Sequence, residues 1–139
     1  MSRIFIYDSD YDMILTIRHP LECDGYDVYA NVVTDPKNQS TKIVTHPVDV
    51  LGLVVGLRPF PDVIIAETCR VDGGWLCGLV YDMELSTNCT VILIGDPETQ
   101  KQKDKIQQLQ NLYGVTFWSR PLNIARLVDH IHELSGVSC

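Results

Sequence analysis

The sequence predicts an α/β fold, a single five-stranded parallel sheet with helices on both faces. Three observations carry that expectation. Five short apolar runs alternate with five stretches of helical spacing. The runs are continuously apolar, as strands covered on both faces are, rather than alternating apolar with polar. And 139 residues with 45% hydrophobic and 21% charged content make one domain, long enough to bury about two-thirds of its unfolded surface.

The elements follow in order. Arg3 to Tyr7 reads as a buried strand that stops at the acidic turn Asp8-Ser9-Asp10. Met13, Ile14, Ile17 and Leu21 have helical spacing, with Asp12 near the start. Pro20 is expected to kink that helix or end it early, and Gly25 marks its end. Tyr26 to Val33 reads as the second strand. Thr34 to Thr41 is a polar loop, and the segment around 34–44 reads as an insertion from which Lys42 to Val44 return as a short strand.

Pro47 stands where a helix can start, Val48 to Leu57 is the second helix, and Pro59 and Pro61 stop it. Asp62 to Ala66 is the third strand. Gly73-Gly74 precede a helix with Trp75, Leu76, Leu79, Val80 and Met83 on one side. Thr90 to Ile94 is the fourth strand, closed by Gly95-Asp96-Pro97. Glu98 to Tyr113 is an amphipathic helix with Ile106, Leu109 and Leu112 inward. Val115 to Trp118 is the fifth strand. Ile124, Leu127, Val128, Ile131 and Leu134 make a last helix ending at Gly136.

Charge and composition exclude several function classes. The formal net charge is -7 and the isoelectric point about 4.8, so direct nucleic-acid binding and docking on an anionic membrane are not expected. The longest apolar stretch, Val48 to Leu57, is broken by Asp49 and is about half the length of a membrane span. Met1-Ser2-Arg3 leads straight into a strand without a signal-peptide core. Five cysteines (Cys23, Cys69, Cys77, Cys89, Cys139) without CxxC spacing fit reduced thiols. A cytoplasmic location follows as the expectation.

Five strands in this alternation fit the flavodoxin-like order 2-1-3-4-5, in which chemistry sits at the carboxyl ends of the strands. Those ends carry Asp8-Ser9-Asp10, Glu67, Gly95-Asp96 and Ser119-Arg120-Pro121. The stretches Ile4 to Asp10, Pro61 to Glu67, Asp72-Gly-Gly-Trp75, Val91 to Gly95 and Phe117 to Leu122 stand in this order at regular spacing. Together they make the sequence resemble, over almost its whole length, the receiver domain of bacterial response regulators.

The resemblance implies specific roles. In that family an acidic pair after the first strand holds magnesium. An aspartate after the third strand accepts a phosphoryl group from a histidine kinase. A Thr or Ser after the fourth strand and a Lys-Pro after the fifth sense it. Here the first acid is Asp8, but the second falls on Ser9, with Asp10 one place late. The phosphoacceptor position is Glu67, the hydroxyl position is Gly95, and the lysine is Arg120, with Pro121 kept and Phe117 at the aromatic switch position. The resemblance also implies a cis Arg120-Pro121 bond.

These departures change the chemistry. Glu67 is a methylene longer than Asp, which misplaces its oxygen for in-line attack and lets it stand where a phosphoryl group would stand. Arg120 spreads its charge over a planar fork. Gly95 offers no hydroxyl. Ser9 removes one of the hard anionic ligands magnesium prefers, so no cofactor is expected; the cluster Asp8, Asp10 and Glu67 with Arg120 reads as a fossil site held by ion pairs, with a residual cation site (at Asp8 and Asp10) or phosphate site as the alternative. The reading is a stand-alone pseudo-receiver, not an enzyme, that signals through a protein partner or as a homodimer without phosphoryl chemistry. A genuine receiver phosphorylated at Asp62, Asp96 or Asp10 is the alternative. A flavodoxin-like small-molecule or cofactor binder is a third, although no glycine-rich loop follows the first strand.

Further features receive plainer readings. A lone cation at Arg120 needs a carboxylate, and Asp8 and Glu67 are nearest. His130 and His132, two apart on a helix, do not share a face as metal ligands would. Cys69 reads as an ordinary thiol. The second helix is apolar over more than half its circumference, so either the 36–40 segment folds over it or a partner covers Val50, Leu53 and Leu57.

Overall fold

A computed structural model describes residues 2–134. In chain order the elements are β1 (Arg3–Tyr7), α1 (Tyr11–Cys23), β2 (Asp27–Ala30), β3 (Val32–Thr34), β4 (Thr41–Ile43), α2 (Pro47–Val55) and β5 (Val63–Glu67). There follow α3 (Gly73–Asp82), a 3-10 turn (Leu85–Asn88), β6 (Thr90–Gly95), α4 (Gln100–Tyr113), β7 (Thr116–Ser119) and α5 (Ile124–Leu134). Five strands form one parallel sheet in the order β2-β1-β5-β6-β7. With β5, β6 and β7 as the third, fourth and fifth strands, this is the order expected from the sequence.

Alternation along each strand divides the core into two layers. Ile4 and Ile6 of β1 face Ile14, Ile17 and Leu21 of α1 and Leu127 and Ile131 of α5. Phe5 and Tyr7 face the other way, toward Val50 and Val54 of α2, Leu76 and Val80 of α3, and Leu109 of α4. Side-chain caps start the helices by accepting otherwise unpaired N–H groups. Asp10 caps α1 at Met13, His46 caps α2 at Val48, and Asp72 caps α3 at Trp75. Thr99 and Gln102 form a reciprocal capping box at α4.

Several sequence expectations are corrected. The run Tyr26 to Val33 is not one strand: β2 ends at Ala30, and β3 pairs with β4 in a separate antiparallel hairpin. The break is Asn31, fully buried, whose amide donates to the carbonyls of Asp8 at 2.8 Å and Val44 at 2.7 Å. Pro20 does not end α1, which runs to Cys23; Pro20 sits in the last turn, and its carbonyl accepts from Asp24 N at 3.2 Å. Gly73 and Gly74 lie inside α3, as part of its buried face with Leu76, Cys77 and Val80, while Trp75 and Met83 are exposed.

Leu112 is 63% exposed, against expectation. Tyr113, two turns beyond Ile106, takes the inward place and stacks on Tyr81 at 4.8 Å. Leu134 is exposed as well. Val50 is fully buried, so it belongs to no partner surface, and Leu53 and Leu57 are half-buried against the same core layer. α2 lies against α3 and buries Val50 and Val54, while Val48 is 49% exposed and Leu51, Leu53, Val55 and Leu57 are only partly covered. The expected end at Gly136 and the thiol of Cys139 lie outside the described residues.

Candidate functional site

The carboxyl ends of β1, β5, β6 and β7 meet where sequence reasoning placed them. Asp8, at the end of β1, is 0% exposed. Its backbone is fixed by Asn31, to whose Oδ1 Asp8 N donates at 3.1 Å. Its carboxylate accepts from Asp10 N at 3.0 Å and faces two guanidinium groups: Arg120 Nη2 stands 3.0 Å from Oδ2, and Arg70 Nη2 stands 3.1 Å from Oδ1. Burial raises the Asp8 carboxyl above the usual carboxylate value, although the Asp10 amide and both arginines pull the other way.

Glu67, at the end of β5, is 1% exposed. The loop after it turns its amides inward. Cys69 N, Arg70 N and Val71 N all donate to Glu67 Oε1, at 2.6, 2.5 and 3.4 Å. The other oxygen, Oε2, lies 3.6 Å from Arg70 Nε and 3.9 Å from Arg120 Nη2, and accepts no hydrogen bond among the described residues. Asp10 caps α1 with one oxygen and faces Arg70 Nη1 at 3.3 Å with the other. The Met13 amide, chiefly, and Arg70 hold its carboxyl below the usual value.

Gly95 ends β6, and its carbonyl accepts from Arg120 N at 3.0 Å. A Cβ at Gly95 would stand 2.8 Å from Cys69 Sγ, so the thiol occupies space that a larger residue there would need. Burial, with Glu67 nearby, raises the Cys69 thiol. The Arg120-Pro121 bond is cis. Ser9 is half-buried beside the cluster and Pro121 is exposed. Phe117 is half-buried against the second core layer.

No family model matches the sequence, and no curated protein matches it. Solved structures do. The signal receiver domain of a DNA-binding response regulator from Colwellia psychrerythraea superposes with a TM-score of 0.72 at 20% identity, covering 99% of this chain and 100% of that one. A Francisella response-regulator receiver domain gives 0.71 at 16%, covering 98% of each chain. A CheY-like receiver domain protein from Methanospirillum hungatei gives 0.70 at 17%, covering 98% of this chain and 95% of that one. The chain has the receiver fold.

In a receiver fold the switch point of the sheet lies between β1 and its neighbour β5, and there the structure brings together Asp8, Asp10, Glu67, Gly95 and Arg120. Arg70 completes the cluster and was missed as a site residue, because it lies on the loop after β5 rather than at a strand end. The available signal was its place three residues after Glu67, where a returning loop can close an ion pair. Asn31 was missed for a different reason: it was read as a strand interior, whereas it stands at the break between β2 and β3.

Of the other phosphoacceptor candidates, Asp10 belongs to the cluster, Asp96 lies beside it and Asp62 does not. Asp62 lies at the opposite edge of the sheet, where it accepts from Arg3 N at 2.8 Å. Asp96 lines a cleft of about 380 Å³ with Glu67, Cys69, Arg70, Glu98 and Arg120. His132 is held between Asp24 and Tyr26 at 2.9 Å from each, and His130 lies beside Trp118. Among the described residues no group of three His, Cys, Asp or Glu is placed to hold a metal ion, and no helix is long and apolar enough to cross a membrane.

Proposed function

We propose that this chain is a pseudo-receiver, a receiver-fold module that acts by protein contact and accepts no phosphoryl group. The observation that carries the reading is that one Glu67 oxygen and both Asp8 oxygens are engaged from within, while Glu67 Oε2 faces only the two guanidinium groups, at 3.6 Å and 3.9 Å. The Glu67 carboxylate occupies a cradle of three backbone amides, and Asp8 is clamped between Arg70 and Arg120. An oxygen that accepts three N–H groups is a poor nucleophile, since those bonds stabilise its charge where it stands.

The donor set also suits magnesium poorly. Ser9 stands at the second acid position, Asp10 is engaged in capping α1, and both oxygens of Asp8 face guanidinium nitrogens. A hard cation would have to displace Arg70 before it met more than one carboxylate. The work of the module then falls to its surface, through a protein partner or a second copy. Incubation with acetyl phosphate and magnesium, followed by intact-mass measurement, tests the reading: no mass gain is expected. A stoichiometric gain of one phosphoryl group, mapped to Asp96, Asp10 or Glu67, would overturn it.

A further inference from the structure

We infer that the free edge of β4 takes up an extended segment of a partner protein as a third strand of the hairpin. That segment places an apolar side chain opposite Val44 and an acidic one opposite Lys42. The inference rests on the protein-contact reading above and names the partner's chemistry.

The register of the hairpin fixes which backbone groups are free. Val32 stands opposite Ile43, Val33 opposite Lys42 and Thr34 opposite Thr41. Val44 N donates to Asn31 O at 2.8 Å, and Asp35 N donates to Ser40 O at 2.9 Å. Bonded and non-bonded pairs alternate along an antiparallel ladder, so Ser40, Lys42 and Val44 bond across to the β3 side. Thr41 and Ile43 therefore turn their N–H and C=O groups outward. Among the described residues no other strand pairs with β4. Thr41 is exposed and Ile43 half-buried, so a second backbone can reach this edge and extend the ladder.

A cleft of about 410 Å³ lies beside the edge, lined by residues 42–46 and by Asp49 and Leu53 of α2. Side chains alternate along the added strand too, so its positions opposite Val44 and Lys42 share one face. Val44 and Leu53 both pack against the core layer under α2 and α3. The position opposite Val44 thus meets an apolar floor. The position opposite Lys42 meets an exposed ammonium group that enters no ion pair among the described residues. Main-chain bonds supply the attachment, and the two side chains select the partner.

A second copy of this chain suits the edge poorly. Two β4 edges paired antiparallel about a two-fold axis set Lys42 either against its own copy or against Val44. The first opposes like charges, and the second leaves the ammonium over an apolar side chain. An acid on a different chain answers Lys42 directly.

The probe is a labelled heptapeptide, Thr-Val-Leu-Thr-Glu-Val-Thr, with Leu and Glu spaced for an antiparallel strand opposite Val44 and Lys42. Fluorescence anisotropy gives its affinity, and NMR-detected hydrogen exchange maps its site. In excess peptide, exchange at the Thr41 and Ile43 amides should slow by about tenfold, and that at Lys42, already bonded to β3, by less. Methylating the backbone nitrogen of the peptide's central Thr, which faces Ile43, should abolish binding. Lys42→Glu should weaken binding by about tenfold and Leu53→Ser by about threefold, whereas Lys103→Glu on α4 should leave it unchanged. Circular dichroism verifies that each variant folds. Protection centred elsewhere, no binding at millimolar peptide, or unchanged binding by the methylated peptide or by Lys42→Glu would overturn the inference. So would protection of Thr41 and Ile43 that rises with protein concentration alone, which marks a second copy as the occupant. Uptake of a phosphoryl group would instead overturn the pseudo-receiver reading, so the two failures are distinct.

Discussion

Arg70 and Asp8 are 62 positions apart in sequence, yet Arg70 Nη2 lies 3.1 Å from Asp8 Oδ1. The arginine side chain is 40% exposed and the aspartate is sealed, so the guanidinium closes the acidic cluster from the solvent side. Arg120 approaches the same carboxylate from within, at 16% exposure. The two should differ in weight. Arg120→Ala is expected to cost about 3 kcal/mol, since it strips a buried charge of its inner partner. Arg70→Ala should cost about 1 kcal/mol, because solvent screens an exposed arginine. Urea unfolding gives both values, and a larger loss for Arg70→Ala would contradict this division.

Shortening the acid at the end of β5 should not restore phosphoryl chemistry. Glu67→Asp leaves Ser9, Gly95 and Arg70 in place, so the variant should gain no mass with acetyl phosphate and magnesium. It should also lose stability, by roughly 1–3 kcal/mol, because a shorter carboxylate leaves the amides of Cys69, Arg70 and Val71 without their acceptor. A phosphorylated Glu67→Asp protein would show that chain length alone had silenced the site.

Gly95 and Cys69 compete for one volume, with a Cβ at the first predicted to lie 2.8 Å from the sulfur of the second. Gly95→Ala should therefore cost about 1–3 kcal/mol. In a Cys69→Ala background the cost should shrink by about half or more, a coupling that a double-mutant cycle reads directly. Gly73→Ala should be worse in either background, since its Cβ would stand 2.2 Å from the Glu67 carbonyl oxygen, and backbone yields less than a side chain. Additive effects of Gly95→Ala and Cys69→Ala would remove this explanation for the glycine.

Asp8 and Asp10 should tilt acid stability in opposite directions. Asp10 titrates below the ordinary value of 3.8 when folded, so it contributes stability that is present above 3.8 and lost as the pH falls through its folded value. Asp8 titrates above 3.8, so its contribution is full below 3.8 and lost as the pH rises through its folded value. The stability difference between wild type and Asp10→Asn should shrink between about pH 6 and pH 3, while that for Asp8→Asn moves the other way. Urea titrations across this range decide it, and parallel trends would refute the assignment.

Thiol reactivity should report the core layer under α2, α3 and α4, which holds both Cys77 and Cys89. Burial pushes Cys77 and Cys89 up to about 12, roughly a thousandfold less thiolate at neutral pH than the ordinary value of 9.0 would give. In a Cys139→Ser background, an aromatic disulfide reagent should modify exposed Cys23 first and Cys69 more slowly. Cys77 and Cys89 should react only on unfolding. Rapid native labelling of either would mean that the core opens locally.

The sheet was legible because its signal is local and repeated: apolar runs such as Val63 to Ala66, each followed by polar punctuation. Asp8, Glu67, Gly95 and Arg120 were legible because topology alone carries strand ends to one edge. Arg70 was not, because a loop residue's reach depends on how the loop closes, and here it closes around Glu67. Val50 was misread because helical spacing counts apolar positions without saying how many neighbours cover them. Leu112 was misread because Tyr113 competes for the same inward place and wins by stacking on Tyr81.

Asn31 ties the hairpin to the acidic cluster. It bonds the backbone of Asp8 through both ends of its amide, and Val44 N returns to its carbonyl at 2.8 Å. The segment from Val32 to Ile43 is therefore a closed excursion knotted at its base by one side chain. Its tip can lengthen or shorten at small entropic cost without disturbing the sheet. A pull on the base, by contrast, is delivered straight to the residue that carries the most deeply buried charge, which makes Asn31 the point where a mechanical load on the periphery becomes an electrostatic event inside.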